Sequence, residues 1–311
     1  MTRSEGMDVR CELHRGGGGY PASVMELPDP PEVIYVRGDV EILSEPSMAV
    51  IGSRRPTPYG IAMAELSARV AAESGVVVVS GGAMGCDQAA GRSALDHDGR
   101  HIMVLGTGAD VPYPRGVAPL VERTIDSGGA VISVMPWGTD PRRWAFPKRN
   151  AVIAALSQAV FITEAGMPSG TFSTAESAMN LGREVLVVPG SMLSPLSRGA
   201  NYLISLGATC IIDEESLEMA VSRIFGLLRY SRPASPGLRG MDAQAKAVVE
   251  ALIASPMRVE AIGSMLGLDA TACLLLLSQL VVDGYIEQLY DGTYSATKLA
   301  LHAQTPFGHN G

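Results

Sequence analysis

The sequence predicts an α/β chain: an extended Rossmann-like, doubly wound, mostly parallel sheet, followed by a small C-terminal winged-helix-like domain. Three observations predict it. Seven short apolar runs alternate with amphipathic segments between residues 48 and 226, the rhythm of βαβ units. The runs are apolar at successive positions, so both faces of each strand are buried, as in a parallel sheet covered on both sides by helices. Beyond "SRPASPGLRG" at 231–240 the pattern changes to helix, short helix, longer helix and hairpin.

Taken in order, residues 1–19 end in "GGGG" and read as a flexible tail. Residues 20–47 form a Pro-rich lead-in, where pre-proline positions favour extended backbone and "VIYV" forms a strand. The main domain spans 48–230. "MAVIG" (48–52) is its first strand, followed by a helix over 61–74. "VVVVSGG" (76–82) precedes a helix through "DQAAGRSALD", and "HIMVLGTG" (101–108) a helix near 117–126. "AVISV" (130–134) leads through "PRRWAFPKRN" (141–150) into the helix "AVIAALS". "AVFIT" (159–163), "EVLVVPG" (184–190) and "ATCII" (208–212) complete the set, separated by "TFSTAESAMNLG" and "ANYLISLG". A linker at 231–240 precedes the small domain at 241–296, whose hairpin turns at Asp291-Gly292, and a tail at 297–311.

Composition narrows the function classes. The 311 residues carry 24 Lys+Arg against 32 Asp+Glu, a net charge of −8, which argues against indiscriminate adhesion to nucleic acid but leaves room for a local basic patch. Four cysteines lie far apart, with no CxxC and no Cys/His cluster, so neither a disulfide framework nor a zinc site is indicated. The N-terminal stretch lacks the apolar core of a secretory signal. The longest apolar runs, such as "CLLLL", are far shorter than a bilayer span. The expectation is a reduced, cytoplasmic protein that takes no membrane as partner.

Polar and glycine residues gather where the strands end, the edge at which such sheets bind ligands. "GSRR" after the first strand offers Ser53, nearby amides and Arg54 to an anion; it is also compatible with an ordinary turn and a surface Arg pair. "SGGAMGCD" has three glycines in five residues, and Asp87 suits the start of the next helix. A structural role is preferred there. "PRRWAFPKRN" places Arg142, Arg143, Lys148 and Arg149 beside Trp144 and Phe146, charge for phosphates and faces for bases, just before a helix. Ser169, Gly170, Thr171 and Thr174 bind phosphate or cap a helix, and Arg198 and Asn201 lie on the next loop. No catalytic constellation emerges: the five histidines fall outside these loops, and Glu164 and Glu176 have no metal spacing.

These loops, together with "YPASVMELPDPPEVIYVRGD", "GREVLVVPG" and "SPLSRGANYLISLGA" in this order, resemble the DprA/Smf family, the DNA-processing proteins of bacterial natural transformation. The resemblance covers about 20–226 and continues into the tail domain. It implies an extended Rossmann domain that binds and protects single-stranded DNA and helps load the RecA recombinase past the single-strand-binding protein. It implies a homodimer and no enzymatic activity, cofactor or metal. The DNA pocket carries over onto Arg54, Lys148 and Arg149, with Phe146 and Asn150 in the same motif and Gly52, Ser53, Ser169, Gly170 and Thr174 on phosphate-facing loops.

Two departures stand out. Only 19 residues precede "YPASV", where many members carry a further N-terminal domain. "SGGAMGCD" stands where the family usually reads closer to "SGLARGID", which removes a positive charge near the pocket. The alternatives are a nucleotide-binding sensor and a phosphoribohydrolase-like enzyme; "MPSGTFSTAE" matches the latter's "PGGxGTxxE" loop only at Gly170-Thr171. The small domain has three Lys/Arg against seven Asp/Glu over 241–311, which fits a protein-contact module better than a reader of duplex DNA.

Overall fold

The computed structural model describes residues 10–167, 169–226, 241–297 and 300. The chain divides into two compact units, 1–230 and 231–311.

In the first unit, strands β3 (Ser47–Ile51), β4 (Val77–Ser80), β5 (His101–Leu105) and β6 (Ala130–Ser133) step outward in one direction. The chain then crosses back to place β7 (Ala159–Ile162) on the other side of β3, followed by β8 (Glu184–Val187) and β9 (Thr209–Cys210). All these neighbours are parallel. Beyond β6, β2 (Val33–Gly38) and β1 (Arg10–His14) add as antiparallel strands, giving nine strands in the order β1-β2-β6-β5-β4-β3-β7-β8-β9. The reversal lies between β3 and β7, the switch point at which a doubly wound sheet opens a crevice beyond its strand ends.

The consecutive apolar residues follow from two covered faces. Ala49 and Ile51 face one core with Val77, Val79, Val160 and Ile162. Met48 and Val50 face the other with Val78 and Phe161. Helices α4 (Ala145–Leu156), α5 (Thr171–Asn180) and α6 (Arg198–Ser205) cover the first face together with the lead-in. The opposite face carries α1 (Pro58–Glu73), α2 (Cys86–Asp96) and α7 (Glu214–Phe225), with α3 (Ala118–Asp126) on Met103, Leu105 and Val131.

Three details correct the sequence reading. The tail expected through residue 19 does not hold for 10–14, because Cys11 and Leu13 point inward and β1 pairs with β2 at Cys11↔Val36 and Leu13↔Ile34. Helix α1 starts at Pro58, not 61, with the Thr57 hydroxyl accepting from Gly60 N at 3.2 Å. Helix α4 starts at Ala145, not 151. Pro147 falls in its first turn, where a missing N–H forfeits no intrahelical bond. Lys148 and Arg149 therefore stand on the helix and not before it.

The second unit has α8 (Ala243–Ala254), α9 (Val259–Leu266), α10 (Ala270–Val282) and an antiparallel hairpin of β10 (Ile286–Gln288) and β11 (Tyr294–Ala296). Its own core joins Val248, Val249, Leu252, Ile262, Leu277, Leu280 and Ile286. The element order matches the helix, short helix, longer helix and hairpin read from the sequence. The expected linker at 231–240 and nearly all of the tail at 297–311 lie outside the described residues. Among the described residues, no single helix is long and apolar enough to cross a membrane, and no group of three or more His, Cys, Asp or Glu could hold a metal ion.

Candidate nucleic-acid interface

At the switch point the loops after β3, β4 and β7 meet the starts of α4 and α5 around a cavity of about 490 Å³. Gly52, Ser53 and Arg54 line it from β3, and Asp87 from α2. Arg149 and Asn150 enter from α4, and Ser169, Gly170, Thr171 and Thr174 from the start of α5. The predicted residues thus converge, with two exceptions. Phe146 packs beside the cavity, with the Arg54 guanidinium 5.4 Å and the Arg149 guanidinium 5.9 Å from its ring centroid. Lys148 lines a different cavity, on another flank of α4.

Exposure separates the cations. Arg54 is exposed and makes no ion pair among the described residues. Arg149 is 4% exposed, and its Nη1 lies 3.7 Å from Asp87 Oδ2. Asp87 also accepts from Gly81 N at 3.0 Å. The guanidinium passes so close to Gly81 that a Cβ there would coincide with Nη1; only glycine leaves the space. Burial pushes the Asp87 carboxyl up and the Arg149 guanidinium down, and each charge opposes the shift of the other. Among the described residues Arg149 Nε is buried without a hydrogen-bond partner. Arg149 therefore forms the floor of the cavity with its charge largely answered, while Arg54 stands at the mouth with its charge free.

The remaining polar groups set the loops. Asn150 Nδ2 donates to Gly170 O at 3.2 Å and Ser173 Oγ at 2.8 Å, tying α4 to the start of α5. Ser53 Oγ accepts from Arg55 N at 3.1 Å and Ser169 Oγ from Thr171 N at 3.2 Å, so both hydroxyls shape their own turns. Gly52 packs where a Cβ would meet Thr163 Oγ1 and Cys86 Sγ. Glu164, raised by burial, accepts from Thr57 N at 2.9 Å and Thr57 Oγ1 at 2.8 Å, which anchors α1. Asp87 and Glu164 are both engaged in holding backbone.

Two features escaped the sequence reading: the pairing of Arg149 with Asp87, and the run of exposed apolar side chains around the strand-end loops. Met84, Tyr113, Met167, Met192 and Leu193 are each between 45% and 93% exposed. Their shared position just after strands was the available signal.

The family model for DNA recombination-mediator protein A matches residues 13–222. The chain belongs to this family. It is 36% identical over 198 residues to Protein Smf of Escherichia coli and 38% over 192 residues to DNA processing protein DprA of Streptococcus pneumoniae. Those matches cover 64% and 62% of this chain, but 53% and 67% of the two relatives. Among solved structures, DNA processing protein A from S. pneumoniae superposes with a TM-score of 0.63 at 35% identity, covering 67% of this chain and 73% of that one. DNA processing protein A from Helicobacter pylori, described for its single-stranded DNA binding mode, also gives 0.63, at 30% identity, covering 71% of this chain and 99% of that one.

Proposed function

We propose that this recombination-mediator family member binds single-stranded DNA along the strand-end edge of its sheet. One observation carries the reading: in a chain of net charge −8, an exposed Arg54, a buried Arg149 and the turns at Ser53 and Ser169–Gly170 all converge on one switch-point cavity. Arg54 meets phosphate directly, loop amides add donors, and Arg149 shapes the floor from beneath. Phe146, Tyr113 and Trp144 supply faces for bases. Lys148, Arg142 and Arg143, all exposed, attract the strand to the edge.

On this reading the bound strand is shielded from nucleases and handed to the RecA recombinase in competition with the single-strand-binding protein, by a homodimer acting in DNA uptake and recombination. The protein acts by binding and not by catalysis. A phosphoribohydrolase-like role would need a carboxylate free to act in the cavity, and Asp87 and Glu164 are engaged with backbone.

The test compares single-stranded and duplex oligonucleotides on the wild-type chain and on a variant with Arg54, Arg142, Arg143 and Lys148 changed to Glu. Arg149 is left intact because it is buried against Asp87. Tighter single-strand binding is expected, with a loss of about a hundredfold in the variant, the scale of two lost charge-assisted contacts. Equal affinity for duplex, or an unchanged variant, overturns the assignment. Recombinase loading is read separately, as RecA filament formation on strands pre-coated with single-strand-binding protein.

A further inference from the structure

The residue that left the switch-point cavity marks a second one. On the other flank of α4, Lys148, Ala151 and Val152 line a cavity of about 530 Å³, faced by Leu27 and Pro31 of the lead-in, Tyr35 of β2 and Met135 after β6. Arg149 and Asn150, the next residues, line the first cavity. One helix, about 10–12 Å across with its side chains, therefore separates the two.

The second cavity is mostly apolar, and its walls are held in place. Tyr20 Oη donates to Pro31 O at 2.7 Å, which fixes the proline wall. Tyr35 packs edge-on against Trp137 at 5.3 Å between centroids, and Trp137 Nε1 donates to Glu12 Oε1 at 2.9 Å. At the margin, Lys148 Nζ lies 5.7 Å from the ring centroid of Trp144, which is 58% exposed. An apolar slot with aromatic and proline walls, a cation at its edge and an open aromatic face beside that cation suits a flat apolar group carried next to a phosphate.

We propose that this cavity receives one unstacked base of the DNA strand whose backbone meets Arg54 and Lys148. The inference rests on the single-strand reading above and extends it from backbone capture to base capture. It also carries a preference. Two carboxylates stand on the lining: Glu32 is paired with Arg15, while Asp29 is exposed. The Asp29 carboxylate would accept from the exocyclic amine of cytosine, adenine or guanine, which thymine lacks.

The test uses the full chain and short single-stranded oligonucleotides in which one abasic residue is walked along the sequence. In parallel, 2-aminopurine replaces one base at each position as a fluorescent reporter. In the wild-type chain one position stands out: removing its base weakens binding by about 5- to 150-fold, the range for losing one base contact, and its 2-aminopurine emission changes on binding. Ala151→Phe, which fills the cavity, weakens the intact strand to a similar degree and abolishes the dependence on that position. Asp29→Asn reduces the preference for cytosine over thymine there.

Normal binding of the intact strand with a flat abasic profile overturns base capture and leaves the strand-binding reading standing. An unaltered Ala151→Phe variant does the same. Absence of oligonucleotide binding by the wild-type chain, or binding unaffected by Arg54→Glu with Lys148→Glu, overturns the strand-binding reading and base capture with it. The abasic and 2-aminopurine profiles of the wild-type chain decide the matter even if Ala151→Phe fails to fold.

Discussion

The buried pair of Asp87 and Arg149 makes a sharp prediction. At 3.7 Å between Oδ2 and Nη1, and with an effective dielectric of about 20, the attraction is about 4 kcal/mol. Asp87→Asn keeps an oxygen for Gly81 N but leaves the guanidinium buried without its counter-charge, at a cost of about 3–5 kcal/mol. Arg149→Met leaves the carboxyl buried, and that group can respond by taking a proton. Its folded-state pKa, already raised by burial, rises further without the guanidinium, so the variant loses stability as pH rises through the folded pKa and recovers it below. Asp87→Asn has no such relief, because an arginine stays charged throughout. The double variant costs less than the sum of the singles by about 2–4 kcal/mol. The assay is urea unfolding followed by tryptophan emission. Both tryptophans, Trp137 and Trp144, lie in the first unit, so the signal reports that unit alone. Additive single variants, or the same pH dependence for both, would refute the reasoning.

Three further outcomes are expected. His101 is fully buried between Ser80 Oγ and Thr124 Oγ1, each 2.9 Å away, and burial lowers its pKa to about 3. The unfolded chain binds the extra proton, so stability climbs by about 4 kcal/mol between pH 3 and about 6.5; His101→Gln should flatten that part of a pH series of urea midpoints. Cys86 is buried with its thiol pushed up to about 12, whereas Cys210 is exposed, so a thiol-reactive dye should label the native chain fastest at Cys210 and label Cys86 only on unfolding, as read by peptide mass mapping. Truncation after residue 230 should leave oligonucleotide affinity within about threefold in a fluorescence-anisotropy titration, because the second unit contributes more acidic than basic residues.

The sheet was legible because burial on two faces forces apolar residues at successive positions, as in "MAVI" and "AVFI". β1 was not, since only Cys11 and Leu13 are apolar in "RCELH" and its charges face outward at the sheet margin. The convergence of Arg54, Ser169 and Gly170 followed from topology, because strand ends on either side of a switch point must meet. The direction of side chains along α4 did not follow. Lys148 and Arg149 read as one basic cluster in the sequence, but successive residues on a helix diverge by about 100°, and the structure sends them to different cavities. Pro147 concealed the helix start that produces this divergence. The partner of Arg149 is 62 positions away on α2, a pairing that no local pattern announces.

The charge balance of the Asp87–Arg149 floor bears on how the edge responds to dissolved ions. A cation already answered by a carboxylate has little condensed counterion to displace from a nucleic acid. If Arg54 and Lys148 alone neutralise phosphates, the logarithm of affinity should fall with the logarithm of salt concentration at a slope of about −1.4, and at about −2.8 if Arg142 and Arg143 join them. Grip of that kind depends mainly on amides, turns and ring faces. It should weaken more gradually as ionic strength rises than a more heavily basic groove would, with the smaller loss expected if only Arg54 and Lys148 meet phosphate.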